Sequence, residues 1–164
     1  MKKLTVILFL VFVFVSVSAW AQDEFPKAEV FGGFSVLSLD GGDRYNPVGF
    51  QASVAGNFHK NIGIVGDFGG QYKDGGHAYE YMGGPRFTAR REKVNIFAHA
   101  LFGGITIGNG NSESAFAMGF GGGVDVKVHE RFAIRAIQFD WIPVTDEGRW
   151  YTDQIRFGFG IVFK

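Results

Sequence analysis

The sequence predicts an all-β protein, an eight-stranded antiparallel up-and-down transmembrane β-barrel that is preceded by a cleaved signal peptide. Three observations predict it. Apolar residues alternate with small or polar residues in eight successive segments, and this two-residue period is the pattern of β-strands. One face of these segments carries Phe, Ile, Val and Tyr, and the other carries mostly Gly, Ala and Ser. Short and longer connections alternate along the chain, as they do in membrane-spanning barrels.

The first 21 residues predict an export signal. Met1, Lys2 and Lys3 are a basic start, residues 4–17 are an apolar run, and Ala19-Trp20-Ala21 is a small-residue cleavage site. We expect cleavage after Ala21, which leaves one domain over residues 22–164. An uncleaved anchor helix is the alternative, because the apolar run approaches the ~20 residues that span a membrane. No Cys follows the run, so a lipid cannot be attached at a new N-terminal Cys.

The composition excludes several classes of protein. The chain contains no Cys, which rules out disulfide scaffolds and metal sites with Cys ligands. Its 25 Gly are spread through apolar stretches. Because each interior Gly costs a helix roughly 1 kcal/mol relative to Ala, a helical bundle is disfavoured. The 16 basic and 16 acidic residues cancel, so the balance of charge over the whole chain leaves no electrostatic footprint for nucleic acid or for anionic lipid headgroups.

The eight segments have the length of tilted membrane-crossing strands, roughly 9 to 11 residues or slightly more. The predicted strands are about 28–39, 48–58, 62–72, 79–90, 94–107, 115–127, 132–142 and 150–163. Tight polar turns are predicted at 58–61, 91–93 and 128–131, and longer Gly- and Asn-rich stretches at 40–47, 73–78, 108–114 and 143–149. The even strand count and this alternation favour a barrel with both termini at the end of the tight turns.

Some segments are irregular. The first does not choose a face clearly, and the fifth carries His99 on the same side as apolar residues. In the seventh, Arg135 has the opposite parity to Asp140, which a β-bulge near Ala136 or Ile137 would reconcile. Pro85 lies in the middle of a predicted strand, where its missing donor requires a bulge or a local break in pairing.

The size difference between the two faces predicts which one meets lipid. The interior of an eight-stranded barrel is just wide enough for side chains to fill. The Gly-rich face therefore fits inside, and the bulky apolar face lies outside, where only lipid accepts it. On this assignment we expect Phe120→Arg to cost ~2 to 4 kcal/mol near the midplane and Gly121→Ser to be mild. A soluble lipocalin-like barrel with the apolar face inside is the alternative.

Aromatic residues gather at the ends of the predicted strands that lead into the longer connections. Tyr and Trp at such positions are typical of the interfacial girdle of a membrane barrel. The predicted girdle consists of Tyr72, Tyr79, Tyr81, Trp141, Trp150 and Tyr151.

The last strand resembles the C-terminal assembly signal of outer-membrane barrels, which runs polar, any, Gly, any, any, apolar, any, apolar. The matching positions are Arg156, Gly158, Ile161 and Phe163, and Lys164 follows the usual terminal aromatic. Further strings, at 84–87, 97–103, 121–126 and 133–135, make the chain similar to the small outer-membrane β-barrel domain family related to OmpA and OmpX. The resemblance implies periplasmic chaperoning and insertion by the barrel assembly machinery. It implies no reaction.

By parity, the charged residues of the Gly-rich face point into the lumen, with Arg135 and Asp140 included if the bulge exists. Charges of both signs in a narrow bore predict a plug, because an unpaired buried charge is too costly. An ion path or a solute gate is the alternative interpretation. The predicted lumenal network consists of Asp67, Glu80, Arg86, Arg90, Asp125, Lys127, Arg135, Asp140 and Arg156.

No motif predicts a catalytic, cofactor or metal site. His99 invites a hydrolase interpretation, but its neighbours on the same face are Phe97 and Leu101, whereas a serine hydrolase needs a Ser within hydrogen-bond reach. We instead predict that His99 is bonded within the lumenal polar network. The other His residues lack metal-ligand spacing. The loop fragments at 40–43 and 73–76 resemble pieces of Ca²⁺ loops but complete no ligand set.

The sequence therefore predicts a non-enzymatic protein of the bacterial outer membrane, with a structural or surface-interaction role and a plugged lumen. Its expected contacts are outer-membrane lipid and, during biogenesis, periplasmic chaperones and the barrel assembly machinery. We expect neither a nucleic-acid partner nor a cofactor. We expect the protein to be a monomer. The alternatives are a narrow channel for ions or small solutes, a lipid A-modifying enzyme and a soluble lipocalin-like binder.

Overall fold

The structure is a computed structural model that describes residues 25–38, 46–109, 111–146 and 148–164. The predicted signal peptide, residues 1–21, lies outside these ranges, as do residues 22–24 and most of the predicted connection 40–47. Every helix or strand assigned within them is a β-strand. Nowhere in these ranges is there a helix long and apolar enough to cross a membrane.

The strands of the described residues belong to a single antiparallel sheet. They are β1 (Ala28–Ser38), β2 (Val48–Asn57), β3 (Ile62–Lys73), β4 (Gly76–Arg90), β5 (Val94–Asn109), β6 (Asn111–Lys127), β7 (Phe132–Trp141), β8 (Val144–Asp146), β9 (Arg149–Tyr151) and β10 (Ile155–Phe163). The long strands begin and end close to the predicted segments, because the two-residue period continues until the pairing stops.

The long strands close into the predicted eight-stranded up-and-down barrel. Consecutive strands pair from β1 to β7, and β10 pairs with both β7 and β1, which completes the ring. The short strands β8 and β9 form a hairpin that pairs with β6 beyond the end of β7. The prediction of one strand over 150–163 was therefore wrong. The chain changes pairing partner within this segment, since β9 pairs with β8 and β10 pairs with β7 and β1.

The barrel has a turn end, formed by the tight turns 58–61, 91–93 and 128–131, and an opposite loop end. Two loop-end connections are shorter than predicted. Lys73 pairs with Gly76, so that only Asp74 and Gly75 form the turn, with φ values of 51° and 80°. An Asp-Gly pair with positive φ at both residues forms a type I′ turn, whose twist matches that of the flanking strands. Pairing also continues to Asn109 and Asn111, so the predicted loops 73–78 and 108–114 were wrong. A third predicted loop-end connection, 143–149, is not a plain loop, because it contains the short strand β8.

The bulge expected in the seventh segment is present in β7. Val124 of β6 pairs with Ile137, whereas the next residue, Asp125, pairs with Arg135. Ala136 is therefore the extra residue, and both Ala136 and Ile137 face outward. The bulge brings Arg135 to the inner face that Asp140 also occupies.

Pro85 is accommodated by a local break in pairing. On one side it pairs with Ile64 of β3, but on the other the ladder to β5 lapses between Gly83 and Arg86 without a shift in register. This follows from the missing N–H of proline, which cannot donate to the ladder.

The barrel wall separates a bulky apolar exterior from a polar and small-residue interior. Large hydrophobic side chains are exposed around the wall, among them Phe34, Phe87 and Phe159, which are 67%, 55% and 54% exposed. β1, whose face was ambiguous in the sequence, buries Glu29 and Phe31 and exposes Phe34. In water this exterior would be an apolar patch far larger than soluble proteins tolerate.

The apolar part of the interior divides into two clusters. The larger one lies towards the loop end and contains Leu37, Met82, Leu101, Ile105 and Ile142 among other buried side chains. The smaller one lies at the turn end and consists of Phe31, Ala133 and Val162. Polar side chains fill much of the remaining bore.

Candidate functional site

The candidate site is the charged interior of the barrel, where inward-facing positions of the strands converge. Of the nine predicted lumenal residues, these seven are buried: Asp67, Glu80, Arg86, Asp125, Arg135, Asp140 and Arg156. Arg90 and Lys127 lie near the ends of β4 and β6 and are half-buried. The period of two places each side chain inside, and the bulge in β7 places Arg135 there.

Arg156 on β10 is the centre of one cluster, which we call the Arg156 cluster (Asp67, Glu80, Asp140 and Arg156). Its guanidinium is fully buried and lies between carboxylates from three other strands. Nη1 is 2.8 Å from Asp67 Oδ1 and 2.7 Å from Glu80 Oε2. Nη2 and Nε donate to Asp140 Oδ2 at 2.7 and 3.1 Å. This planar donor group therefore connects β3, β4 and β7 across the bore.

His99 is bonded within this polar network, as predicted. Its Nε2 lies 2.7 Å from Asp140 Oδ1, and Gln138 Nε2 donates to Asp140 Oδ2 at 2.8 Å. Asp140 thus contacts His99, Gln138 and Arg156 together, so that neither of its oxygens lacks a hydrogen-bond partner.

A second cluster lies closer to the turn end, and we call it the Arg135 cluster (Glu29, Arg86, Arg90, Asp125 and Arg135). Arg135 donates to both oxygens of Asp125, at 2.7 Å from Nε and 3.2 Å from Nη2. Its guanidinium carbon also lies 4.2 Å from the ring centroids of Phe31 and Phe97. The cation is therefore held between two aromatic rings while it binds a carboxylate, an arrangement that stabilises a desolvated guanidinium.

Glu29 joins the remaining arginines of the Arg135 cluster. Its carboxylate lies 3.2 Å from Arg86 Nη2 and 2.8 Å from Arg90 Nη1. Arg86 Nη2 is also 3.6 Å from Asp125 Oδ2. Glu29 was not among the predicted lumenal residues, because the sequence of β1 does not show which of its faces points inward. The sequence does contain one indication: Glu29 lies two residues before Phe31, so the two side chains share a face of the strand, and both point inward.

One side chain connects the two clusters into a continuous network. Gln138 accepts a hydrogen bond from Arg135 Nη1 at 2.7 Å and donates to Asp140. Towards the other strands, Gln51 donates to Asp67 at 2.7 Å and Gln71 to Glu80 at 3.2 Å. The predicted lumenal network contained only charged residues, so it omitted these neutral amides, although Gln51 and Gln71 lie on the predicted polar face.

Inward-facing glycines leave the space that the network occupies. A Cβ added at Gly69 would lie 2.7 Å from Glu80 Oε2 and 2.9 Å from Gln71 Nε2. A Cβ at Gly121 would clash with the backbone oxygen of Phe139 and the carboxylate of Asp140. The expectation that Gly121→Ser is mild is therefore wrong, because Gly121 does not face empty lumen.

Lys127 is the one predicted lumenal charge for which the structure gives no contact with the two clusters. Its Nζ donates to the backbone oxygen of Arg91 at 2.7 Å, which attaches it to the turn 91–93. Lys164, just beyond β10, is half-buried nearby. Burial is the largest influence on its ammonium and lowers its pKa below the usual value, and the positive charge of Lys127 acts in the same direction.

The arrangement suits charge pairing better than catalysis or metal binding. The two clusters contain five carboxylates and four guanidinium groups, in addition to His99. Nε2 of His99 contacts a carboxylate and not a hydroxyl nucleophile. In the part of the chain that the structure describes, no three His, Cys, Asp or Glu side chains form a group able to hold a metal ion.

The predicted girdle residues lie outside the bore. Tyr72, Tyr81, Trp141, Trp150 and Tyr151 are exposed, and Tyr79 is half-buried. The hydroxyls of Tyr72 and Tyr79 are 2.8 Å apart, and Trp141 Nε1 donates to the backbone oxygen of Thr152 at 2.6 Å.

The residues of the predicted assembly signal alternate across the wall of β10. Arg156 and Gly158 face inward, and Ile161 and Phe163 face outward. The amide of Lys164 donates to the backbone oxygen of Arg131 at 2.9 Å. The extra residue after the terminal aromatic therefore continues the hydrogen bonding beside β7 and leaves the outward pattern of the strand unchanged.

Comparisons with known proteins yield structural likenesses only. No family model and no curated protein matches the chain. Neisserial surface protein A is similar with a TM-score of 0.64 and 10% identity, covering 84% of this chain and 97% of its own. The N-terminal β-barrel domain of OprF from Pseudomonas aeruginosa has a TM-score of 0.59 and 12% identity, covering 84% and 96%. Ail, the attachment invasion locus protein of Yersinia pestis, has a TM-score of 0.56 and 18% identity. That match covers 83% of this chain and 96% of the Ail chain.

At these identities the likenesses concern the fold alone. Each covers nearly the whole of the other chain and more than four fifths of this one, so the entire barrel is matched and not a fragment of it. Together with the closed sheet and the apolar exterior, they establish that this chain has the fold of the small eight-stranded outer-membrane β-barrels.

Proposed function

We propose that the chain is a bacterial outer-membrane protein whose closed and plugged barrel serves a structural or surface-interaction role, without enzymatic activity and without an open pore. The observation that carries this proposal is the inverted distribution of polarity. Large hydrophobic side chains are exposed on the wall while arginines and carboxylates are buried inside it. Only a hydrocarbon environment makes such a distribution stable.

The network supports a plug and not a channel. Arg156 contacts carboxylates of three other strands, and Arg135 is held by Asp125 and two aromatic rings. A permeating ion would have to separate these pairs, and leaving a buried charge without its partner costs about 3 to 5 kcal/mol. The apolar cluster around Leu101 and Ile105 adds a second obstruction towards the loop end.

The surroundings of His99 support a non-enzymatic role. A lipid-modifying hydrolase would need a hydroxyl nucleophile at its imidazole and access from the membrane. The Nε2 of His99 instead contacts Asp140, and its ring is buried inside the bore at 5.7 Å from the ring of Phe97. A lipid outside the wall would not reach it.

We further propose that β10 is recognised during biogenesis by the barrel assembly machinery, after periplasmic chaperones have delivered the exported chain. The outward Ile161 and Phe163 are about half-exposed, so a partner protein could contact them before lipid does. At the loop end the exposed strand β9 of the β8–β9 hairpin is available for surface contacts. Ail, which has this fold, bears attachment and invasion in its name, and a surface role is compatible with the exposed strand here.

Bilayer conductance tests the plug. The protein purified from membranes in detergent and added to planar bilayers is expected to give no unitary currents. A narrow channel would give them, and Arg86→Ala or Arg156→Ala would change their size. Arg149→Ala is the matched control, since Arg149 is an exposed arginine of the β9 hairpin outside the bore. Unitary currents in the unmodified protein would refute the plugged lumen.

Membrane residence is tested separately by heat-modifiable mobility on gels. A folded barrel resists unfolding by detergent until it is heated, so that unheated and heated samples should migrate differently. The protein should also require detergent or lipid to stay dissolved, because its exterior is apolar. A folded protein recovered in osmotic-shock fluid and soluble in plain buffer would contradict the proposal and favour the lipocalin-like alternative.

A further inference from the structure

The turn end of the barrel carries a set of exposed cations, which we call the basic rim (Lys60, Arg91, Lys93 and Arg131). They occupy all three tight turns, and all four are exposed. Glu92 and Glu130 are the acidic side chains of the same turns. The basic rim therefore has twice as many exposed cations as anions, distributed around the mouth of the barrel.

Hydrogen bonds attach these turns to the adjacent strands and turns. Arg90 Nε donates to the backbone oxygen of Lys60 at 2.9 Å, and Lys127 Nζ to that of Arg91 at 2.7 Å. The amide of Lys164 donates to the backbone oxygen of Arg131 at 2.9 Å. In the turns of Lys60 and Arg131, a His Nδ1 accepts a backbone N–H two residues later, at 3.3 and 3.2 Å. The cations are thus presented by an ordered backbone.

The basic rim borders the apolar exterior directly. Phe58 is 65% exposed two residues before Lys60, and Val128 is 56% exposed three residues before Arg131. Phe163 at the end of β10 is 53% exposed. A cation immediately beyond a hydrocarbon-facing side chain stands at the level of lipid headgroups.

The loop end differs in charge. Among the described side chains there, Asp74, Glu113 and Asp153 are exposed and acidic, and Lys73 and Arg149 are basic. Among the residues that the structure describes, the excess of exposed positive charge is therefore confined to the turn end.

We propose that the basic rim binds the phosphate groups of anionic phospholipids in the leaflet that the turn end meets, an inference that rests on the membrane location proposed above. An anionic polymer surrounded by water, such as peptidoglycan, could also bind cations. The immediate contact of the basic rim with the apolar exterior favours lipid, because only a lipid has its phosphate next to hydrocarbon. Lys and Arg at such a surface each attract anionic lipid by an amount that corresponds to roughly a fivefold change in binding.

The test compares two matched double variants of the full protein in vesicles of phosphatidylcholine with phosphatidylglycerol. Lys60→Gln with Arg131→Gln removes two cations of the basic rim and keeps the backbone oxygens that accept hydrogen bonds. Lys73→Gln with Arg149→Gln removes two cations at the loop end. Spin-labelled lipids then report which headgroup is enriched beside the protein.

We expect the unmodified protein and the loop-end variant to enrich phosphatidylglycerol roughly fivefold over phosphatidylcholine. The basic-rim variant should lose about half of this preference, because two of its four cations remain. Raising the salt concentration to about 1 M, where the Debye length is about 3 Å, should weaken it in the unmodified protein. Equal affinity for both lipids, or the same loss in both variants, would overturn the proposal.

A preference for isolated peptidoglycan, lost in the basic-rim variant and without lipid selectivity, would assign the basic rim to that polymer and overturn the lipid assignment. Failure of the unmodified protein to insert into pure phosphatidylcholine vesicles as a heat-modifiable species would count against the membrane barrel itself. The two failures are therefore distinguishable.

Discussion

Replacing Arg156 by Gln is the most informative change to the interior, because Arg156 connects three carboxylates from three strands. Gln keeps a polar side chain but removes the positive charge and shortens the reach. We expect the folded barrel to lose about 3 to 5 kcal/mol of stability, the cost of removing one partner of a buried ionic group. The cost arises because Asp67, Glu80 and Asp140 would remain buried near one another without their common cation.

The magnitude follows from the contacts. Arg156 makes four contacts with carboxylate oxygens, at 2.7, 2.7, 2.8 and 3.1 Å. Counting each as a hydrogen bond to a charged group, at roughly 1.5 to 3 kcal/mol, gives a total that is too high, since the orphaned carboxylates can take up protons. Asp140 also keeps its contacts with His99 and Gln138. The expected loss of stability is therefore the smaller figure, about 3 to 5 kcal/mol.

The assay is urea unfolding from lipid vesicles, followed by tryptophan fluorescence at pH 8 and again at pH 5. In the variant, the folded state should bind protons at the orphaned carboxylates more readily than the unfolded state does. Its stability should therefore rise as the pH falls, which reduces the cost of the substitution at pH 5. Arg149→Gln on the exposed strand β9 is the control and should change stability by less than about 0.5 kcal/mol.

Two results would refute this reasoning. A loss below about 1 kcal/mol at pH 8 would mean that the Arg156 cluster is open to water, where ion pairs contribute little. A loss that does not depend on pH would mean that the damage is steric and not electrostatic. If the reasoning is right, adding Asp67→Asn to the variant should restore part of the stability, because one orphaned charge is removed.

Three further predictions follow from the two faces of the wall, each measurable by the same unfolding assay. Gly121→Ala should destabilise the barrel by roughly 1 to 3 kcal/mol through overpacking. Gly66→Ala should be tolerated, because Gly66 faces outward and its added Cβ would meet nothing within 4 Å. Equal costs for the two variants would contradict the assignment of faces. Phe120→Arg, on the lipid side, should cost about 2 to 4 kcal/mol, and a neutral result would argue against lipid there. Arg135→Lys should cost at least about 1 kcal/mol although it keeps the positive charge. The reason is that Lys cannot bind Asp125 through two donors while it also stacks on two rings. Unchanged stability would contradict this geometry.

The barrel and the orientation of its faces could be predicted from the sequence because both depend on local rules. A period of two fixes which side chains share a face, and the contrast between bulky and small residues decides which face fits a narrow bore. The bulge at Ala136 was predictable for the same reason, since Arg135 and Asp140 had to share the inner face. Closure itself, through the pairing of β1 with β10, follows once eight strands must satisfy their edges in lipid.

The lengths of the loop-end connections could not be predicted from composition. Gly and Asn in the stretch 108–114 suggested a loop, but pairing continues to Asn109 and Asn111. Asp74-Gly75 is a strong hairpin signal, and its neighbours were assigned to a loop because they are Gly-rich. Backbone pairing does not require apolar side chains where a strand extends beyond the lipid-facing band, so the strand and loop compositions overlap there.

The interior charges were assigned by parity, but parity says nothing about which charges meet. Asp67 and Arg156 are far apart in sequence, and their contact depends on the stagger of strands around the ring. Glu29 was missed because Gly32 and Gly33 obscure the period of β1. The tolerance of Gly121 was misjudged because space inside the bore is set by neighbouring strands: the carboxylate of Asp140, on β7, occupies it.

The use of charges to fill the bore follows from the route that we propose for the chain. Buried ion pairs add little net stability compared with apolar side chains of the same volume, so stability alone does not explain the Arg156 and Arg135 clusters. If the inner face were apolar, however, each strand would become a continuous apolar run, and the 16 or 17 residues of β5 and β6 would approach the length that spans a bilayer as a helix. Asp125 in β6 and His99 in β5 interrupt such runs. Alternating polar residues thus let an exported chain cross one membrane unfolded and still close a filled barrel in another.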